Sequence, residues 1–197
     1  EYMKVYGTLV GKKPIIFTNN DSAYKAAIEF NKNNIKALIL DTRENSDGDL
    51  VKEAQSLGLD IKFNSGVADV KGRLKISSAT IGKLNSDKDS FSDLEEIECD
   101  CICMSGGWTP TVHLSSQAGN KLKFDEDLDA FVPNNKRQKE TAVGSANGSF
   151  TLKQSLAEGF QVGFDLSNSI TSNNKNTTVP TSKESSYQAH DKFWCMP

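Results

Sequence analysis

Glu98-Cys-Asp-Cys-Ile-Cys-Met104 runs directly into Ser105-Gly-Gly-Trp-Thr-Pro110. An apolar run that ends in paired glycines suits a buried strand whose end brings backbone close to something, such as a nucleotide. Cys99, Cys101 and Cys103 alternate, so on one unbroken strand from 98 to 104 they share a face, about 6.5–7 Å from one to the next. That is too wide for a disulfide between neighbours while the strand persists. The three read as small buried hydrophobes. A soft-metal chelate is the alternative if the segment is a loop, and no Cys-x-x-Cys pair or paired histidine supports zinc.

Upstream, Pro14-Ile-Ile-Phe-Thr18 is a second apolar run, the pattern of a buried parallel strand. Asn19-Asn-Asp-Ser22 supplies helix-capping residue types, and Ala23, Ala26, Ala27 and Phe30 follow at helical spacing. Ile35-Lys-Ala-Leu-Ile-Leu40 is the next strand, closed by Asp41. Strand, helix, strand and terminal acid is the order of a Rossmann βαβ unit. Its phosphate half is missing, because the turn is Thr18-Asn-Asn-Asp21 rather than G-x-G-x-x-G. Asp21 also places negative charge at the anion-favouring end of the helix. The unit therefore reads as structural, with Asp41 a weak ribose-binding candidate.

A helix over 48–57 stops at Gly58, and Leu59-Asp-Ile-Lys-Phe63 is a short strand. Residues 66–84 predict a meander of antiparallel strands, and 85–96 a polar hairpin tip or loop with a solvated acidic face. Beyond Pro110, Thr111–Ser115 starts a short helix whose His113 has no catalytic partner placed by sequence. Lys121–Asp125 and Ala130–Pro133 are short strands, and Glu140–Val143 a last one. It enters the turn Gly144-Ser145-Ala146-Asn147-Gly148, and a helix follows with Leu152, Leu156, Phe160 and Gly163 along one side. Backbone N–H groups at such a turn can hold an anion. From about Asn168 to Ser186 the chain is a polar linker, and Asn176-Thr-Thr178 matters as a sequon only in a secreted protein. His190–Pro197 turns aromatic again, as if a longer chain continued.

Composition sets outer limits. The chain has 197 residues, 37% hydrophobic and 25% charged, with a net charge of −3. That is enough for a real core and offers no basic field for nucleic acid. No apolar run reaches membrane-spanning length and no signal peptide opens the chain, so we expect a cytoplasmic protein without a membrane partner.

Three stretches together resemble the α subunit of heterotetrameric sarcosine oxidase: Phe17-Thr-Asn-Asn-Asp-Ser-Ala-Tyr24, Ser105-Gly-Gly-Trp-Thr-Pro-Thr-Val-His-Leu114 and Gly144-Ser-Ala-Asn-Gly-Ser-Phe150. Tyr6-Gly7, Phe124-Asp-Glu126, Phe131-Val-Pro133 and Leu156-Ala-Glu-Gly159 fit as well. The resemblance implies an α/β fold: the nested Rossmann-like domains of the disulfide-reductase type, with a βαβ unit and an antiparallel meander. Residues 1–104 would be the inserted smaller domain, 105–165 the return of the larger dinucleotide-binding domain, and 166–197 a linker and the start of a small following domain.

By the same resemblance the larger domain binds NAD, with Gly106, Gly107 and Gly144, Ser145, Ala146, Asn147 and Gly148 as backbone contacts. Related flavoproteins carry an acid in the last glycine turn; Ser145 stands in that region here, which speaks for a dinucleotide other than FAD in this domain. The whole enzyme would demethylate sarcosine oxidatively to glycine, releasing hydrogen peroxide and passing the one-carbon unit to tetrahydrofolate or to formaldehyde. Its FAD and FMN would lie in the β subunit and at the α/β interface, with β, γ and δ subunits as partners. No residue of this chain is expected to be catalytic or to hold a metal. The alternatives are the dinucleotide-binding subunit of a related opine- or hydroxyproline-type dehydrogenase, and a non-catalytic Rossmann scaffold.

Overall fold

The structure is a computed structural model that describes residues 2–135, 140–170 and 178–182. The chain divides into two compact units, one ending at Gly107 and the other starting at Trp108.

The first unit opens with α1 (Tyr2–Tyr6), then alternates β1 (Pro14–Thr18), α2 (Tyr24–Lys32), β2 (Leu38–Asp41), α3 (Asp49–Ser56) and β3 (Asp60–Phe63). An antiparallel sheet of β4 (Ser65–Gly72), β5 (Ile76–Leu84) and β6 (Phe91–Glu98) follows, and β7 (Cys101–Ser105) returns to the first sheet. That first sheet is parallel, in the order β3-β2-β1-β7. Both of its faces are covered, and this is why β1 and β2 read as unbroken apolar runs. Ile16 and Ile39 point to one side, where Tyr24, Ala27 and Phe30 of α2 and Val51 and Ala54 of α3 pack on them. Ile15, Phe17 and Leu40 point to the other, against Val67, Ala79 and Ile81 of the antiparallel sheet. Each such side chain, taken fully out of water, contributes about 1.5–3 kcal/mol.

Two sequence expectations change here. Residues 91–96 are not a loop but most of β6. A register shift opposite Ile81 and Lys83, with Asp93 at φ 52°, breaks the alternation that marks a strand. Nor do residues 98–104 form one strand. Glu98 ends β6, and the corner at Cys99-Asp100 is pinned by Lys12 N–H and Lys13 N–H, which donate to the Asp100 carboxylate at 2.7 and 2.8 Å. Those bonds, Lys12's above all, hold the Asp100 carboxyl below the usual carboxylate range. The three cysteines therefore do not share a face: Cys99 is buried between the two sheets, and Cys103 packs towards the helices.

The second unit contains α4 (His113–Gln117), the hairpin of β8 (Lys121–Asp125) and β9 (Ala130–Asn135), and α5 (Leu152–Ile170). Phe124 and Phe131 meet edge to face across the hairpin at 5.3 Å. The strand expected at 140–143 does not form. Val143 keeps extended backbone, at φ −140° and ψ 161°, but joins no ladder among the described residues and leads into a 3-10 turn at Gly144–Asn147. α5 runs to Ile170, beyond residue 165. Asn176 and the aromatic segment 190–197 lie outside the described residues.

Candidate dinucleotide-binding turns

The turn after β1 is filled by its own side chains. Asn20 accepts the Ser22 N–H at 3.1 Å and so caps the helical turn at its start. Its amide also donates to the Ser105 carbonyl at 3.1 Å and to the Ser105 hydroxyl at 3.2 Å, tying the end of β7 to β1. Asn19 donates to the Gly106 carbonyl at 3.4 Å. The two asparagines thus stand where a phosphate cradle would need glycine, and they hold the Ser105-Gly106 segment instead.

Behind them lies a buried ionic cluster. Asp41 is 0% exposed and both of its oxygens are used. Arg43 donates to it from Nε at 2.9 Å, from Nη2 at 2.7 Å and from its backbone N–H at 3.1 Å, and the Tyr24 hydroxyl donates at 2.7 Å. Arg43 Nη1 reaches Asp21 at 2.7 Å, and Ser46 donates to the same Asp21 oxygen at 3.0 Å. A Cβ on Gly48 would fall 1.9 Å from Asp21 Oδ2, so only glycine lets α3 start this close.

Burial works against the Arg43 charge, but the hydrogen bonds and charges of Asp41 and then Asp21 outweigh it and raise its pKa. Burial first, then the Asp41 charge and hydrogen bond, pushes the Tyr24 hydroxyl well above the ordinary tyrosine value. The acid that could receive a ribose is already satisfied by the protein. These residues do not fit a dinucleotide. Sequence reading missed Arg43 and Tyr24, whose roles arise only when the fold brings them to Asp41.

Gly106 and Gly107 belong to the first unit. Gly107 has φ 99°, a conformation that side chains disfavour, and a Cβ on Gly106 would meet nothing within 4 Å.

The turn Gly144–Gly148 belongs to the second unit. Gly144 has φ 64° and Gly148 φ 92°, and a Cβ on Gly148 would lie 2.5 Å from Leu128 Cδ1. One carboxylate spans the turn: Glu158 of α5 accepts the Gly144 N–H at 2.7 Å and the Asn147 amide at 2.5 Å. Thr151 accepts the Gln154 N–H at 3.2 Å while its hydroxyl donates to the Gln154 side chain at 2.8 Å, an exchange that starts α5. Gly144 thus spends its donor inside the protein, whereas Ser145 is exposed. Spacing alone did not single out Glu158, which holds this turn together.

Beside this turn is a cleft of about 230 Å³, lined in part by Ser115, Asn120, Glu140, Asn147 and Glu158. It is smaller than ordinary small-molecule sites, about 300–1,000 Å³. Its polar groups pair with one another: Ser115 donates to Glu140 at 3.0 Å, and Asn120 to Ser115 at 2.9 Å and to Glu140. His113 is exposed and is not part of the lining. Among the described residues no cluster of three or more potential ligands could hold a metal, and no helix is long and apolar enough to cross a membrane.

The parallel sheet with its packed antiparallel sheet, followed by a hairpin, glycine turn and helix, defines the FAD/NAD(P)-binding fold of the disulfide-reductase type. Thioredoxin reductase from T. acidophilum matches with a TM-score of 0.61 at 16% identity, covering 84% of this chain and 55% of that one. The bacillithiol disulfide reductase of Staphylococcus aureus matches with a TM-score of 0.50, covering 71% of this chain and 47% of that one, also at 16% identity.

In sequence the resemblance read from the three motifs is borne out. The chain is 27% identical to sarcosine oxidase subunit alpha of Corynebacterium sp. (strain P-1) over 164 residues, 82% of this chain and 17% of that protein. It is 26% identical to the subunit of the same name from Rhizobium meliloti (strain 1021) over 159 residues, 80% of this chain and 15% of the relative. The chain therefore spans about a sixth of the length of the curated relatives it matches. No family model matches it.

Proposed function

We propose that this chain is the dinucleotide-binding part of a sarcosine oxidase α-type subunit. Similarity to subunits of that name over four fifths of the chain is the observation that carries the reading. In this reading the oxidoreductase demethylates sarcosine to glycine, with hydrogen peroxide as one product and the one-carbon unit as formaldehyde or 5,10-methylenetetrahydrofolate. The chemistry occurs on flavins, FAD and FMN, bound outside this chain, and β, γ and δ subunits complete the assembly.

The dinucleotide of this subunit is NAD, held by the larger domain. The closed crevice after β1 supports this division, because the turn there offers neither an unspent strand-end acid nor a glycine cradle. Gly106, Gly107, Ser145, Ala146, Asn147 and Gly148 are the candidate backbone contacts. For Gly144 the role is to shape the turn, since its N–H is held by Glu158.

The test uses the complete subunit purified with its partners. It should consume sarcosine, produce peroxide and release NAD on denaturation. Sarcosine turnover without any bound nicotinamide dinucleotide would favour the second reading, a scaffold, which the Asp21–Arg43–Asp41 lock also supports. No turnover of sarcosine but turnover of an opine or hydroxyproline would replace the substrate.

A further inference from the structure

We infer that Cys101 and Cys103 are an oxidisable dithiol, converted by hydrogen peroxide to an intrastrand disulfide and restored by thiol reductants. Both thiols are free and half-buried on one face of β7, with their sulfurs 3.8 Å apart. Closing to a disulfide length of about 2.05 Å requires β7 to leave its extended path around Ile102. Two features ease that movement. Among the described strands β7 lies at the edge of its sheet, paired to β1 alone. Its register partner at Cys101 is Pro14, which has no N–H to give to the ladder. Outside the sheet, the backbone at Gly11 packs so closely that a Cβ there would sit 2.6 Å from Cys101 Cβ, leaving little room for a bulky adduct. A bond made against strain is readily reduced, so the pair suits a reversible state rather than a permanent staple.

The two thiols divide the work. Burial, with Cys101 behind it, pushes the Cys103 thiol up to about 12, so Cys103 keeps its proton. Cys103 also packs against the helix-side core whereas Cys101 joins neither core cluster, so Cys101 is assigned as the sulfur that meets peroxide. Its sulfur attacks one peroxide oxygen: an S–O bond forms, the O–O bond breaks, and the leaving hydroxide takes up the proton that Cys101 gives up and departs as water, the sulfur being oxidised by two electrons. Cys103 attacks the resulting sulfenic acid, an S–S bond forms, and the S–O bond breaks. The departing hydroxyl takes the thiol proton and leaves as water. Two thiols and one peroxide give one disulfide and two waters. The inference rests on the proposed function only for the source of peroxide, which that reaction would generate.

The complete subunit in its complex is treated with added hydrogen peroxide, unfolded with a thiol-alkylating reagent, digested, and weighed. The peptide carrying residues 99–103 should lose two alkylation sites and two hydrogens, regain both sites after dithiothreitol, and keep Cys99 alkylated. Cys99 is 2% exposed and serves as the internal control. With Cys103→Ser the reaction should stop at a dimedone-reactive sulfenic acid on Cys101, and with Cys101→Ser no adduct should appear. All three sites alkylated after peroxide, or oxidation that stops at sulfenic acid in the unsubstituted protein, would overturn the inference. Because peroxide is added, the outcome is separable from sarcosine turnover, whose failure would instead remove the proposed function.

Discussion

The turn after β1 and the turn before α5 both deliver extended backbone into a helical turn, yet one is filled by side chains and the other is shaped by backbone. After β1, Asn19, Asn20 and Asp21 occupy the space at the strand end, and Arg43 consumes the terminal acid from behind. Before α5, two glycines at positive φ make the turn and a single carboxylate, Glu158, holds its ends. The difference teaches that strand-turn-helix order is not enough to make a nucleotide site. What decides is whether the acid and the N–H donors at the turn are already spent.

Substitutions can break this comparison, starting with the largest expected effect. Arg43→Ala leaves Asp41 buried without its cation, and removing one partner of such a pair costs about 3–5 kcal/mol. Faster hydrogen exchange throughout β1 and β2 of the assembled protein would register the loss. Under the proposed function, bound NAD should persist in whatever fraction stays folded.

Tyr24→Phe should cost less, about 1.5–3 kcal/mol, the worth of a hydrogen bond to a charged group. It also carries a pH signature. The Tyr24 pKa is raised in the folded state, so its contribution is complete below the unfolded value of about 10 and is lost as pH rises through the folded value. Unsubstituted protein should therefore lose stability above about pH 10 at up to about 1.4 kcal/mol per pH unit from this group. The phenylalanine variant should show a correspondingly shallower alkaline decline, and identical slopes would remove Tyr24 from the cluster's energetics.

How much of this was legible beforehand differs between the two turns. The apolar runs of β1 and β2, the capping asparagines and the missing glycines all spoke for a βαβ unit without a phosphate cradle, and the structure agrees. Arg43 was silent, because its role depends on Asp21 and Asp41 being brought together by folding. The β6 strand was hidden by the bulge at Asp93, which shifts its side chains out of alternation. Cys99 was assigned to the wrong face for a similar reason, since the corner at Asp100 divides what looked like one strand. At the second turn the glycines were legible but Glu158 was not, because a carboxylate one helical face away carries no local signature.

Gly148→Ala sharpens the second half of the comparison. Its φ of 92° and the Leu128 methyl 2.5 Å from the new Cβ should cost about 1–3 kcal/mol and distort the turn. NAD content per subunit should fall, where the Tyr24 change leaves it intact. The smallest effect is expected at Thr42, whose buried hydroxyl has no hydrogen-bond partner among the described residues. Thr42→Val keeps the shape and removes the unmet polar group, so denaturant titration should find the protein unchanged or more stable by about 1 kcal/mol.

The central claim is that the crevice after β1 is closed, and the proposed dinucleotide contacts lie at the glycine turns instead. Photolabelling the intact complex with an azido-substituted NAD tests it most directly. Label recovered in peptides containing Gly106-Gly107 or Gly144–Gly148, and absent from residues 18–43, is the predicted result. Label concentrated between Thr18 and Arg43 would contradict it.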